Sequence, residues 1–108
     1  MKISIISASH RTSSQSKRIS DLVHNNLLNN KSGLEIFSLD LADASLPLWS
    51  PEKKNGKGVW GQTWGSISDK LIQSDGFIFV VPEYGGMATP AAKNFFLLCG
   101  NGELSHKP

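Results

Sequence analysis

The sequence has only one cysteine, Cys99, in 108 residues. A single cysteine excludes a disulfide within the chain and any metal site built from several cysteines, and we expect a protein of the reducing cytoplasm. The three histidines, His10, His24 and His106, do not have the spacing of metal ligands. The sequence therefore predicts no structural metal.

Excess charge and long apolar runs are also missing. The 11 Lys and Arg residues against 9 Asp and Glu residues leave a net charge of +2, too small for the basic surface that nucleic acid binding requires. No apolar run approaches the roughly 20 residues of a membrane-spanning helix, and Lys2 leads directly into a strand pattern rather than a signal peptide. We expect one domain, residues 1–108, that binds neither nucleic acid nor a membrane.

Three apolar segments predict a parallel sheet. Residues 2–7 and 34–39 are rich in isoleucine and leucine, which suits strands of such a sheet. Residues 77–81 are five consecutive apolar residues, a pattern typical of a strand buried on both faces. A helical segment separates the first two strands, and the right-handed crossover of such a unit places its strands side by side and parallel.

Three segments have helical periodicity. The first runs from about Ser16 to Asn29, the second from Trp64 to Ser74, and the third begins at Pro90. The residues predicted to face the sheet are Ile19, Leu22, Val23 and Leu27 of the first helix, Ile67, Leu71 and Ile72 of the second, and Ala91, Ala92, Phe95, Phe96 and Leu98 of the third.

Residues 40–63 form a long irregular segment with several prolines and glycines. A loop of this length in a compact domain is usually functional or mobile. Trp49, Trp60 and Trp64 lie in or beside it. Either these side chains hold the loop against the body of the protein, or one of them flanks a substrate or a partner subunit, since tryptophan is enriched at interfaces.

The segment between the first strand and the first helix combines Ser9, Ser14 and Ser16 with Arg11. A phosphate bound there would meet free N–H groups and the positive end of the helix dipole. The hydroxyl groups can donate hydrogen bonds, and the guanidinium can pair with the phosphate charge. The alternative is a serine-rich loop in which one serine caps the helix. The sequence has neither the glycine-rich dinucleotide fingerprint nor a Walker loop.

The loop after the third strand, residues 82–89, is the second candidate for function. Gly85 and Gly86 allow a ligand ring to lie close to backbone amides, and Tyr84 offers a flat aromatic surface. Open α/β sheets bind their ligands at the carboxyl ends of the strands, where this loop lies. Taken alone, the loop is equally compatible with a simple strand-to-helix turn.

Together the two segments resemble the NADPH-dependent FMN reductases. Ser9-His-Arg11-Thr-Ser-Ser14 corresponds to the family pattern GSxRxxS, with Ala8 at the glycine position. The segment from Pro82 to Asn94 corresponds to PEYNxSxPxxLKN at Pro82, Glu83, Tyr84, Lys93 and Asn94. This resemblance implies a flavodoxin-like fold, a three-layer α/β sandwich around a parallel sheet. Relatives in the family include azoreductases and chromate or quinone reductases.

The resemblance also implies a flavin site in two halves, one for the FMN phosphate and one for the isoalloxazine ring. Gly85-Gly86 and Met87 stand where the family has Asn-x and serine, which removes an amide and a hydroxyl. Lys93 and Asn94 are expected to fix the helix and loop rather than touch substrate. The implied phosphate residues are Ser9, Arg11, Ser14, Gln15 and Ser16, and the implied ring residues are Pro82, Glu83, Tyr84, Gly85, Gly86 and Met87.

The activity implied by the resemblance is the transfer of hydride from NADPH or NADH to bound FMN, and of electrons onward to a quinone, azo compound, metal oxyanion or free flavin. The cofactor does this chemistry, so no catalytic protein residue is expected; His10 is expected to be a solvated side chain and Cys99 a packed thiol. The family also implies a homodimer or homotetramer. The alternatives are a non-enzymatic FMN electron carrier and a truncated, flavin-free product that acts as an assembly subunit.

The resemblance covers the first three strands of a five-strand family fold. We therefore expect a domain that is truncated after the third strand and third helix, with the strand order 2-1-3. Its third strand would have an unpaired apolar edge.

Overall fold

Three parallel strands form the central sheet of the computed structural model, which describes residues 1–11, 14–30, 32–44 and 46–108. The strands β1 (Lys2–Ser7), β2 (Glu35–Asp40) and β3 (Gly76–Val80) lie in the order β2-β1-β3. In the middle strand, Ile5 lies opposite Ser38 of β2 and Ile78 of β3. The predicted strands and their order are confirmed, with β2 and β3 each displaced by one residue from the predicted bounds.

Helix α1 (Gln15–Asn30) covers one face of this sheet. Its inward positions are Ser16 and Ser20, which are buried, whereas Ile19 and Leu22 are 42% and 51% exposed. The predicted inward face is therefore wrong for Ile19 and Leu22. Small serine side chains let α1 lie close to the sheet, and no element in the described part of the chain covers the flank that carries the two larger residues.

Helices α2 (Gly65–Gln73) and α3 (Pro90–Leu98) complete the three-layer sandwich. The buried cluster of the domain consists of Ile6, Leu39, Trp64, Leu71, Phe95 and Leu98, contributed by β1, β2, α2, α3 and the turn before α2. Ile6 and Ile5 alternate between the two faces of β1, as expected for a strand with helices on both sides. Ile72 and Phe96 are 51% and 47% exposed, so their predicted inward positions are wrong.

The irregular segment between β2 and α2 contains a short 3₁₀ helix (Pro51–Asn55) and a π-helical turn (Trp60–Trp64). Trp64 is in the core and Trp60 packs against it, so these two tryptophans hold the segment to the body, while Trp49 is 46% exposed. Asn94 of α3 adds a polar link. Its Oδ1 accepts the N–H of Trp49 at 2.7 Å and its Nδ2 donates to the Pro47 carbonyl at 3.0 Å. Asn94 fixes helix and loop, as expected.

Strand β3 is less buried than the sequence predicted. Phe77 to Val80 are only partly buried and Val81 is 39% exposed, because β3 lies at the edge of the described sheet and has a neighbour on one side alone. The expectation of burial on both faces is therefore wrong for this structure. At the start of the strand, the N–H of Phe77 donates to the Pro108 carbonyl at 2.9 Å.

The segment after α3 packs against α2 through Glu103, whose side chain is completely buried. Its carboxylate accepts hydrogen bonds from Ser68 Oγ and from the N–H of Asn101, both at 2.9 Å. Burial, and secondarily the negative charge of Glu103, raises the pKa of the Cys99 thiol to about 12. Since the thiolate is the reactive form, Cys99 is an unreactive packed thiol. None of the helices in the described residues is long and apolar enough to cross a membrane.

Candidate functional site

Two loops leave the sheet at the C-terminal ends of its strands, one after β1 and one after β3. Ser7 and Val80 are partners in the parallel β1–β3 ladder, so residues 8–14 and 81–89 begin side by side at the carboxyl ends of adjacent strands. The Ala8 N–H donates to the Val80 carbonyl at 2.9 Å and extends the ladder by one step. Crevices at this edge are where open α/β sheets bind their ligands.

Thr89 ties the two loops together. Its side chain is completely buried, and its Oγ1 donates to the Ala8 carbonyl at 2.5 Å. The same oxygen accepts the Ala92 N–H at 3.1 Å and so caps α3. Sequence reasoning missed this residue, although threonine immediately before a proline is the usual start of a helix.

The first loop holds its residues by local hydrogen bonds. Ser9 is completely buried, and its Oγ accepts the Arg11 N–H at 3.1 Å. Ser14 caps α1, because its Oγ accepts the Lys17 N–H at 3.0 Å. The Arg11 side chain is exposed and makes no ion pair with any described residue. Positions 12 and 13 of this segment lie outside the described residues.

Gln15 and Ser16 form the first turn of α1. Gln15 is exposed, and its Oε1 accepts a hydrogen bond from Arg18 Nε at 2.9 Å. Ser16 is only 5% exposed. Of the five predicted phosphate residues, Gln15 and Ser16 begin α1, and Ser14, Arg11 and Ser9 precede it in the loop. Arg11 and Gln15 are exposed, whereas Ser9 and Ser16 are buried.

This end of α1 has the chemistry of an anion site. The first N–H groups of a helix lack partners within the helix, and its dipole favours negative charge there. The Ser14 hydroxyl uses a lone pair to cap α1, so its own proton is available to an anion. With the Arg11 guanidinium, which is exposed and has no ion pair among the described residues, these groups fit a phosphate ester such as the one in FMN.

The second loop is a small hairpin rather than a simple turn. Strands β4 (Glu83–Tyr84) and β5 (Met87–Ala88) pair in antiparallel fashion. Gly85 and Gly86 join them with φ values of 60° and 78°, the feature of a type I′ turn, which glycine adopts without strain. The space where their Cβ atoms would lie is open, so a flat ring can approach the hairpin at this point.

The predicted ring residues differ in what they offer. Tyr84 is 36% and Met87 55% exposed, whereas Pro82 is partly buried. The Glu83 carboxylate accepts the Gly86 N–H at 2.5 Å, so this amide is occupied within the hairpin. The rings of His10 and Tyr84 meet edge to face, with centroids 5.8 Å apart, and this contact joins the tip of the hairpin to the first loop.

A parallel sheet in the order 2-1-3 between helical layers defines a flavodoxin-like α/β protein. The family model described as NADPH-dependent FMN reductase matches residues 1–108. The chain belongs to this family.

Solved structures share the fold. The apo form of an NADH:FMN oxidoreductase (EMOB) superposes with a TM-score of 0.76 at 19% identity, over 98% of this chain and 54% of that one. The azoreductase AzrA gives 0.68 at 15% identity, over 93% and 56%. Smu.1420 from Streptococcus mutans UA159 gives 0.64 at 22% identity, over 92% and 53%. The chain therefore spans about half the length of these structures. No protein of curated function matches it in sequence.

Proposed function

We propose that this chain is the FMN-binding part of an NAD(P)H-dependent oxidoreductase. The observation that carries the proposal is the joining of two loops, each with one half of the family's motifs, by Thr89 at the carboxyl edge of the sheet. When bound, FMN would supply the redox chemistry, which is hydride transfer from a nicotinamide and electron transfer to an acceptor. The residues of the chain bind and orient it.

The phosphate end of the site is the N-terminus of α1. We assign Arg11 to the phosphate charge and Ser14 and the Gln15 N–H to hydrogen bonds with its oxygens. Ser9 contributes indirectly: its buried Oγ accepts the Arg11 N–H and so positions the Arg11 backbone. Ser16 is buried under the first turn of α1, and we assign it to the packing that sets the position of that turn.

The ring end of the site is the β4–β5 hairpin. Tyr84 provides an aromatic face, and Pro82 forms the wall where β3 ends. The open approach to Gly85 and Gly86 lets a planar ring lie against the backbone. Glu83 keeps the turn in shape through its bond to the Gly86 N–H, and Met87 adds exposed apolar surface beside it.

The electron donor and acceptor are proposed as classes. The family description names NADPH, and one structural neighbour is described as an NADH:FMN oxidoreductase, so the donor is a reduced nicotinamide. A second neighbour is described as an azoreductase, which supports an azo compound as the acceptor; a quinone, a metal oxyanion and free flavin are the other acceptors that the family resemblance implies. The single unreactive thiol is compatible with work in the reducing cytoplasm.

An oligomer fits the exposed apolar surface that the segment before α2 forms together with α3. Leu48 is 79%, Trp49 46% and Leu97 59% exposed, and the last two line one surface groove. Large exposed apolar residues that cluster in this way mark contact surfaces. We propose that this surface contacts a second copy in a homodimer or homotetramer.

The enzymatic part of the proposal is tested by anaerobic reduction of the FMN-loaded chain. NADPH or NADH is expected to bleach the flavin absorbance at roughly 450 nm, because hydride transfer reduces the flavin. Dithionite is the control, because it reduces any accessible flavin. Bleaching by dithionite but by neither nicotinamide would contradict a reductase and leave a flavin carrier.

A further inference from the structure

A cavity lies beside β1, on the flank away from β3 and the β4–β5 hairpin. It has a volume of about 330 Å³ and lies between α1 and the carboxyl ends of β1 and β2. None of the residues assigned to FMN lines it. Ile5, which is 1% exposed, contributes apolar surface to its lining.

Two buried hydroxyl groups line this cavity without a partner. Ser7 is 1% and Ser20 6% exposed, and no described residue forms a hydrogen bond with either Oγ atom. Buried polar atoms in native proteins nearly always have a hydrogen-bond partner. Two serine Oγ atoms without one, around the same cavity, indicate that a partner outside the described residues binds there. A bound polar group that reaches both serines would satisfy them.

The rim of the cavity is negatively charged. Asp21, Asp40 and Asp43 line it together with a single cation, Lys17, whose Nζ is already 2.6 Å from Asp21 Oδ1. Asp40 uses one oxygen to accept the Ala42 N–H at 3.1 Å. The Asp43 carboxylate has no ion pair among the described residues. Two carboxylates therefore lack a counter-ion.

The negative charges of the rim also affect the pKa of Lys17. Its hydrogen bond to Asp21, aided by the charges of Asp21, Asp40 and Asp43, raises its pKa against the opposing effect of desolvation. Lys17 therefore stays protonated, and its charge balances only one of the three carboxylates. An anionic ligand would be repelled here, and a neutral polyol would leave two negative charges unbalanced.

A metal ion does not fit the rim. The described residues contain no group of three or more His, Cys, Asp or Glu side chains placed to hold a metal. An alkylammonium ion does fit. It has three N–H donors for serine and carboxylate oxygens, and a short hydrocarbon chain that can lie on apolar surface.

We propose that this cavity binds a small organic cation with a primary ammonium group on a short alkyl chain. The ammonium group donates to the hydroxyl oxygens of Ser7 and Ser20 and balances the charge of Asp40. The alkyl chain packs against Ile5. The proposal is independent of flavin binding, because it uses different residues on the other flank of β1.

The test uses n-butylammonium chloride as the probe, followed by amide NMR shifts of the whole chain. We expect saturable shifts confined to the lining of the cavity and at least about tenfold weaker binding in Asp40→Asn. Ser20→Ala is expected to weaken binding as well, and provides a second variant if the first one fails to fold. Asp69→Asn, on the exposed face of α2, is the charge-matched control and should bind as the parent chain does.

Two control titrations distinguish binding of the ammonium group from binding of the alkyl chain alone and from an effect of ionic strength. n-Butanol has the same chain without the charge and is expected to give no saturable shift, and sodium chloride at equal ionic strength controls for screening. Equal responses to butanol and butylammonium would overturn the proposal. So would an equal loss in Asp69→Asn and Asp40→Asn, or no saturable shift at all, which would mean that solvent satisfies the two serines.

Discussion

Replacing Arg11 by alanine is expected to lower FMN affinity by roughly ten- to a hundredfold, because a hydrogen bond to a charged group contributes about 1.5–3 kcal/mol. The guanidinium is exposed at the N-terminus of α1 and has no ion pair among the described residues. Its removal therefore costs little folding stability. Fluorescence titration with FMN measures the affinity, and thermal unfolding of the free chain checks the fold.

The controls for Arg11→Ala separate the phosphate from general charge. Lys54→Ala removes one exposed cation from the segment before α2 and is expected to leave FMN affinity unchanged. Riboflavin lacks the phosphate, so Arg11→Ala should bind it as the parent chain does. An unchanged FMN affinity, or an equal loss for riboflavin, would place the phosphate elsewhere.

Ser14→Ala, added to Arg11→Ala, should deepen the loss of FMN affinity and also lower stability. The reason is that the Ser14 Oγ caps α1, and loss of such a cap costs about 0.5–2 kcal/mol. The two effects can be separated only if stability and affinity are both measured.

Thr89→Val is expected to have the largest effect on the fold, lowering the free energy of unfolding by about 2–3 kcal/mol. The substitution keeps the shape of the side chain but removes the cap of α3 and the bond to the Ala8 carbonyl, which leaves buried polar groups unpaired. A domain of this size has only about 5–15 kcal/mol in total. Chemical denaturation measures the change.

FMN affinity should fall in Thr89→Val as well, because Thr89 holds the first loop against the start of α3. Thr89→Ser is the matched control, since it retains the hydroxyl and is expected to recover most of the stability and affinity. Stability equal to that of the parent chain in Thr89→Val, or a serine variant as weak as the valine one, would contradict the assignment of Thr89 as the link between the loops.

The strands could be predicted from the sequence because each is a short apolar run bounded by polar or glycine residues. The strand order and the two halves of the site followed from the resemblance carried by residues 9–14 and 82–94. The face that α1 turns toward the sheet could not be predicted in this way. Periodicity places Ile19 and Leu22 inward, but the helix approaches β1 through Ser16 and Ser20, which carry no hydrophobic signal.

Features that depend on distant parts of the chain were also missed. The Thr89–Ala8 bond joins residues 81 positions apart, so only its local half, the helix cap, is visible in the sequence. The β4–β5 hairpin has two-residue strands, too short for the alternation that identifies strands. Its glycine pair was recognised, but as a loop. The exposure of β3 is set by its place at the sheet edge, not by its residues.

We propose that one site on this chain holds FMN with its phosphate at the N-terminus of α1. The most direct measurement compares the affinities of the unmodified chain for FMN and riboflavin in the same buffer. We expect FMN to bind at least about tenfold more tightly than riboflavin, since charged phosphate contacts contribute about 1.5–3 kcal/mol. Equal affinities, or no binding of FMN, would contradict it.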